Sequence, residues 1–329
     1  MKKKLQGIIR RVQLYKNLLS EVISYANRLF LYNASVRTDD DIKKMQYTIL
    51  RESHVIEKGM SMRNPRKGFG QSKVLALLSR LEKYNMLYGK KDKDFMRYPL
   101  GIIKEYISYM NTSGVEIHTI CEQYKNILLV TRFEENKLVS TAGIKQITKQ
   151  EIISQASGDF NSLLFSRHSI RYFDRKEPEK SVIDQALIMA QQTPSACNRQ
   201  GWRTHVYLGV KAHDLLHLQG GCNGFEEEIS CAIVVTADMR AFLSYEPMQC
   251  YVDGGLYAMN LINSLHSLGL GTIPLSLGFY HDKLEHIART FDIPPSEVMI
   301  CIIGVGEMLE SFKIAESYRK SISITNTYH

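Results

Sequence analysis

Arg167, His168, Ser169 and Arg171 place two guanidinia, an imidazole and a hydroxyl within five residues. Such a set holds a dianionic phosphate through several charge-assisted hydrogen bonds. A second group follows about 20 residues later: Thr193-Pro194-Ser195-Ala196-Cys197-Asn198-Arg199-Gln200. Pro194 punctuates the end of a helix there. A loop of small residues lets backbone amides approach a flat ligand closely. Taken singly, the first group also fits a solvated basic turn and the second an ordinary helix-to-strand loop. Their order and spacing favour a ligand site.

The elements that must position these groups are legible downstream. Arg203 to Val210 is β-branched and partly alternating, which predicts a strand. A helix is expected from about Lys211 to Leu218, then a glycine-bearing turn, Gly220-Gly221-Cys222-Asn223-Gly224. Cys231 to Ala237 and Met299 to Gly306 are continuous apolar runs and predict buried strands. Tyr251 to Leu268 predicts a long apolar helix carrying small residues that allow close packing.

The stretch from Phe165 to Trp202 resembles the nitroreductase family of FMN-dependent NAD(P)H oxidoreductases. Arg167, His168, Ser169, Arg171 and Phe173 match its entry motif R-[RH]-S-x-[RK]-x-F. Pro194, Ser195, Asn198, Gln200 and Trp202 match its P-S-x-x-N-x-Q-P-W motif, with Gly201 where the family usually has Pro. Gly269 to Gly278 is similar to the family's G-L-G-x-x-P-[LI]-x-G segment. It carries one additional residue before Gly278 and neither Glu nor Gly directly after the Pro-Leu pair. Phe312 to Lys320 is similar to the family's C-terminal K-x-x-x-S-x-R segment. The resemblance covers about half the chain, from about Phe160 to Lys320.

That resemblance implies an α+β fold for residues 158–329, a mixed sheet flanked by helices, with FMN as cofactor and NAD(P)H as reductant. It implies that Arg167, His168, Ser169, Arg171, Lys313 and Arg319 surround the FMN phosphate. Asn223 is the candidate for the flavin pyrimidine, a plain turn being the other reading of its glycines. Leu275, Ser276 and Gly278 mark the neighbourhood of the flavin's reactive edge. Family sites lie at a homodimer interface, so Pro194, Ser195 and Ala196 would come from the partner subunit; Asn198 is a further cofactor-binding candidate. The long helix would form much of that interface. The fold rarely uses an obligatory protein acid or base, so no catalytic side chain is assigned.

The whole chain has 329 residues and a net charge of +8. Residues 1–150 carry 28 Lys and Arg against 14 Asp and Glu, and the remainder 14 against 20. Two halves of opposite sign suggest two modules, the basic one facing an anion. The six cysteines show no C-x-x-C and no zinc spacing, which points to free thiols in a reducing, cytoplasmic compartment and no metal site. Arg10, Arg11 and Lys16 interrupt the apolar core that a secretory leader needs.

Residues 1–150 are expected to be a mostly helical domain. Leu5, Ile8, Val12, Tyr15, Leu19 and Val22 recur at helical spacing after a cationic start. The expectation is a long amphipathic helix packing its apolar face on its own domain. An anionic membrane surface at the inner face of the cell membrane is the other use of such a face. A second helix should start near Asp39-Asp40-Asp41, where acids suit a helix N-terminus. Residues 58–70 gather Lys58, Arg63, Arg66 and Lys67 around glycines, before a helix expected from Ser72 to Tyr84. That arrangement suits an anion at a helix N-terminus, and equally a solvated basic loop. Residues 85–98 read as a loop and Thr141 to Ser157 as a connection. The extension loosely resembles that of nitroreductase-like proteins encoded with polysaccharide-biosynthesis enzymes. It implies an anionic small-molecule or carrier-linked substrate. No nucleic-acid recognition motif is present. A flavin-less nitroreductase-like scaffold that binds an anionic membrane or polymer is the alternative reading of the whole chain.

Overall fold

The computed structural model describes residues 2–32, 38–138, 142–243, 246 and 248–329. The chain divides into a unit made of Met1–Tyr25 and Ile147–Phe312 and a unit made of Ala26–Gln146 and Lys313–His329. Helix α1, Lys2–Tyr32, runs across the first boundary. It does not pack as its pattern led one to expect. Leu5, Ile8, Val12, Tyr15, Leu19 and Val22 are all exposed, between 49% and 72%.

The second unit is helical. Helices α2 (Ile42–Met60), α3 (Gln71–Asp92), α4 (Arg97–Thr112) and α5 (His118–Thr131) carry it. Asp41 caps α2, its carboxylate accepting from the N–H groups of Lys43 and Lys44 at 2.7 and 3.0 Å. Met45, Ile49, Leu77, Leu81, Ile103 and Tyr106 meet in one buried core. At its edge Tyr84 Oη accepts from Gln46 Nε2 (2.8 Å) and donates to the Asp92 carbonyl (3.0 Å). Residues 85–98 are therefore not a loop. Straight-chain Lys90 and Lys91 propagate α3 well and suit its C-terminal end. Gly70, in the left-handed region at φ 75°, starts α3, and Arg63, Arg66 and Lys67 before it are exposed.

The boundary between the units falls within β1 (Ile144–Thr148) and again near the C-terminus, within a strand that pairs with it. Thr141, the expected start of the connection, lies outside the described residues. The connection is itself structured. Thr148 and Glu151 form a reciprocal capping box that starts α6, Lys149–Ala156. Helices α7 (Phe160–Ser166) and α8 (Lys180–Ala190) follow. Then come β2 (Trp202–Leu208), α9 (Val210–Gln219), β3 (Cys231–Asp238) and α10 (Gln249–Ser267). Strand β4 (Gly271–Leu275), α11 (His281–Thr290), β5 (Glu297–Gly306) and β6 (Ser311–Ala315) complete the order.

The main sheet has the order β2-β3-β5-β4, antiparallel at every pairing of these strands. Among the described residues, the parallel part of this α+β sheet is a bridge between Ser169 and Thr272. Every residue of β3 is buried, as its unbroken apolar run requires. Strand β4 tolerates Pro274 because it is an edge strand. Helix α10 packs on β3 and on α8, where Ala186 and Ala190 meet Tyr257, Leu261 and Leu265 in one buried cluster.

Candidate functional site

Residues 167–173 leave α7 at Ser166 and lie along the sheet. Ile170 donates its N–H to the Thr272 carbonyl at 2.9 Å, and Asp174 donates to Glu307 at 2.9 Å. Two glycines make room for this. A Cβ at Gly271 would lie 3.2 Å from the Phe173 ring, and one at Gly306 2.9 Å from it. The segment runs inward: Arg167, His168 and Ser169 are half-buried, and Ile170, Arg171, Tyr172 and Phe173 are buried. Arg171 is 6% exposed, and its Nη1 reaches the Ser169 carbonyl at 3.4 Å. The structure thus gathers these four side chains beside the start of β4.

The end of α10 supports them. His266 Nε2 lies 2.8 Å from Ser166 Oγ, immediately before Arg167. Burial, and then the charges of Arg167 and His168, push the His266 pKa down to about 4. At neutral pH this imidazole is uncharged, so it braces the cationic segment without adding to its repulsion. A stability prediction follows. An unfolded chain takes up a proton on His266 below about pH 6.5, and the folded chain refuses it. The contribution is whole above that pH and is lost as pH falls from 6.5 towards 4, on the order of 3 kcal/mol. In urea titrations at pH 7, 5.5 and 4.5, His266→Asn should flatten that part of the pH profile. A variant that lost stability on acidification as steeply as the parent would contradict this origin.

A second junction ties the Asn223 loop to the segment after β4. Gln219 Nε2 donates to the Ser276 carbonyl at 2.9 Å, and its Oε1 accepts the Gly221 N–H at 2.6 Å. Gly220 and Gly224 take positive φ (80° and 95°), which folds the loop back and leaves Asn223 exposed. Cys222 beside it is fully buried. Leu275 is buried, whereas Ser276 and Gly278 are exposed.

The loop 193–200 is built on the other end of α10. Asp253, 1% exposed, accepts the Ala196 N–H at 3.2 Å and the Gln249 side chain at 2.8 Å. Asn260 Nδ2 donates to Thr193 Oγ1 at 2.7 Å. The Gln200 N–H donates to Ser195 Oγ at 2.9 Å, closing the loop on itself. Cys197, Asn198 and Gln200 hold positive φ between 50° and 54°, so the loop is sharply folded. Arg199 locks its exit with a two-pronged pair to Glu246 at 2.7 and 2.9 Å. Gly201, the departure from the motif's usual Pro, leaves space. A Cβ would come within 2.9 Å of Ala241 and 3.0 Å of the Phe242 ring.

Asp253 and His266 are thirteen residues apart on one helix. At 1.5 Å per residue, Asp253 and His266 stand about 20 Å apart along the helix, and Asn260, which holds Thr193, stands about 9 Å from His266. Lys313 and Arg319 belong to the other compact unit. There Lys313 Nζ lies 5.6 Å from the Tyr109 ring centre, and Arg319 donates to the Ser317 carbonyl.

Sequence reading missed His266 and Gln219 as supports and gave Asp253 no role. The signal for Asp253 is a lone carboxylate on an otherwise apolar helix. His266 and Gln219 show none, because their partners are 100 and 57 residues away.

Two guanidinia, an imidazole and a hydroxyl beside an edge strand are a donor set that fits the phosphate of FMN. The family model described as "Nitroreductase family" matches residues 164–229 and 244–307. A Methanothermobacter thermautotrophicus protein named "Putative NADH dehydrogenase/NAD(P)H nitroreductase" is 27% identical over 152 residues, 44% of this chain and 75% of that one. An Archaeoglobus fulgidus protein of the same name is 25% identical over 44% of this chain and 82% of its own length. Among solved structures, an FMN-dependent nitroreductase from Clostridium difficile is 24% identical, with a TM-score of 0.39 over 44% of this chain and 86% of that chain. The matched residues hold the basic segment, the small-residue loop, Asn223 and the segment after β4, and they end before Lys313. Residues 164–229 and 244–307 of this chain thus match the nitroreductase family model, and the two archaeal relatives are similar to this chain over 44% of its length.

Proposed function

We infer that this protein is an FMN-dependent oxidoreductase that draws reducing equivalents from NAD(P)H. The observation that carries the reading is the cluster of Arg167, His168, Ser169 and Arg171, laid along β4 and braced by neutral His266. Flavin supplies the hydride and electron chemistry; the protein binds and orients it. Arg167 and Arg171 would neutralise the phosphate, and Ser169 would add a short hydrogen bond. The Asn223 loop and the residues after β4, tied together by Gln219, would line the isoalloxazine.

The cofactor site is composite in this reading. The Ala196 part of loop 193–200 is held at the far end of α10 from the basic segment, which supports its serving a flavin on a second subunit. The exposed face of α10 supports such a pairing. Val252, Leu256 and Met259 are 52%, 48% and 41% exposed at helical spacing, with Gly255 between them open to close approach. A homodimer buries this stripe and completes two sites. Six free thiols support a reducing, cytoplasmic setting. The resemblance of the N-terminal extension supports a small or carrier-linked anionic acceptor in cell-surface polysaccharide biosynthesis.

Anaerobic addition of NADPH or NADH to the flavin-loaded protein tests the reading. The absorbance near ~450 nm should bleach and return when a nitroaromatic or quinone acceptor is admitted. Flavin that stays oxidised under both nucleotides would overturn the oxidoreductase assignment.

A further inference from the structure

The nitroreductase-family segment leaves helix α1 unexplained. Among its described side chains none is buried, and only Leu18 is even half-buried. Leu5, Ile8, Val12, Tyr15, Leu19 and Val22 form a continuous apolar stripe, which is unusual to leave in water. The helix is 31 residues long, about 46 Å. No helix among the described residues is apolar enough to cross a membrane, so α1 is not a span.

Charge decides between possible occupants. Lys2, Lys3, Lys4, Arg10, Arg11 and Lys16 precede the first acid of the chain, Glu21. At 100° per residue, Arg11 and Lys16 flank the six-residue stripe on its two sides, with Leu18 and Ile9 just beyond them. That is where long cations reach out to headgroups while their stems lie on apolar surface. A second copy of α1 fits less well. Six residues at a strict heptad spacing would form a seam, but a parallel pair would then set Arg11 of one helix against Lys16 of the other, like against like. Ile9, Leu18 and Ile23 would also stay outside the seam. A lipid interface accepts the whole arc, about half the helix circumference, and repays the cations.

We propose that α1 lies in the plane of an anionic lipid bilayer, with its apolar face in the headgroup–acyl boundary and its cations on the phospholipid headgroups. The proposal is independent of flavin binding, because α1 contributes no residue to that site. It brings the oxidoreductase to a surface where a lipid-linked acceptor would be presented.

Co-sedimentation of the full chain with vesicles tests it. The chain should pellet with vesicles of phosphatidylcholine plus phosphatidylglycerol, stay in solution with phosphatidylcholine alone, and be released at high salt. The variant carrying Arg10→Gln, Arg11→Gln and Lys16→Gln should partition about 100-fold more weakly, at roughly fivefold per cation. The variant carrying Ile8→Glu and Val12→Glu should lose at least ~10-fold. Both variants should keep the parent's flavin content. A parent chain that stays in solution with anionic vesicles would overturn the proposal. So would variants that pellet as the parent does, or light scattering showing that α1 drives self-association in place of vesicle binding.

Discussion

Arg167→Ala lowers the affinity of the protein for FMN by about 10- to 100-fold, the effect of losing charge-assisted hydrogen bonds worth ~1.5–3 kcal/mol. Arg167 is half-buried and sits at the end of α7, so its removal opens no cavity in the core. The thermal midpoint should therefore stay within a few degrees of the parent's, which separates lost binding from lost folding. Arg167→Lys keeps the charge but not the planar fork and should fall between the two. Fluorescence titration of the apoprotein with FMN reads all three. Equal affinities would remove Arg167 from the phosphate site.

If the proposed homodimer pairs through α10, Leu256→Glu should separate its subunits and abolish flavin binding together. A carboxylate in the middle of an apolar helix pair is buried without a partner, which costs several kcal/mol. Leu256 is 48% exposed in the single chain, so the fold of each subunit should survive. The second loss follows from the first if loop 193–200 serves the partner's flavin. The loop's Ala196 part is held by Asp253, about 20 Å along α10 from His266, which braces the basic segment of the same chain. Analytical ultracentrifugation with flavin release reads both quantities. A monomer that still holds FMN would contradict the composite site. A flavin-loaded dimer would show that the α10 stripe is not the interface.

The sheet was largely legible because β-branched runs mark it. β2, β3 and β5 fall where Arg203–Val210, Cys231–Ala237 and Met299–Gly306 place them, within two residues at each end. β4 was read only as a flavin-edge segment, since five residues containing Pro274 carry little strand signal. The helical half was less legible. The apolar stretch that forms the second half of α5 and ends at Thr131 is too short to show a period in sequence. Residues 85–98 looked like a loop on polarity alone, although polar straight-chain residues are good helix formers. The basic segment, the small-residue loop and Asn223 were readable because each is local in sequence. What holds them was not. Asp253 to Ala196, His266 to Ser166 and Gln219 to Ser276 are contacts over 57 to 100 residues, and only the folded chain sets them. For α1 the pattern gave the helix and its two faces, but not what the apolar face meets.

The central claim is that this chain holds FMN where Arg167, His168, Ser169 and Arg171 meet β4. The visible absorption spectrum of the purified protein, taken before and after heat release of its ligand, tests it most directly. The account predicts bands near ~370 and ~450 nm, with one FMN released per chain. A spectrum that stays flat after incubation with FMN would contradict it and leave the nitroreductase fold serving as a flavin-less scaffold.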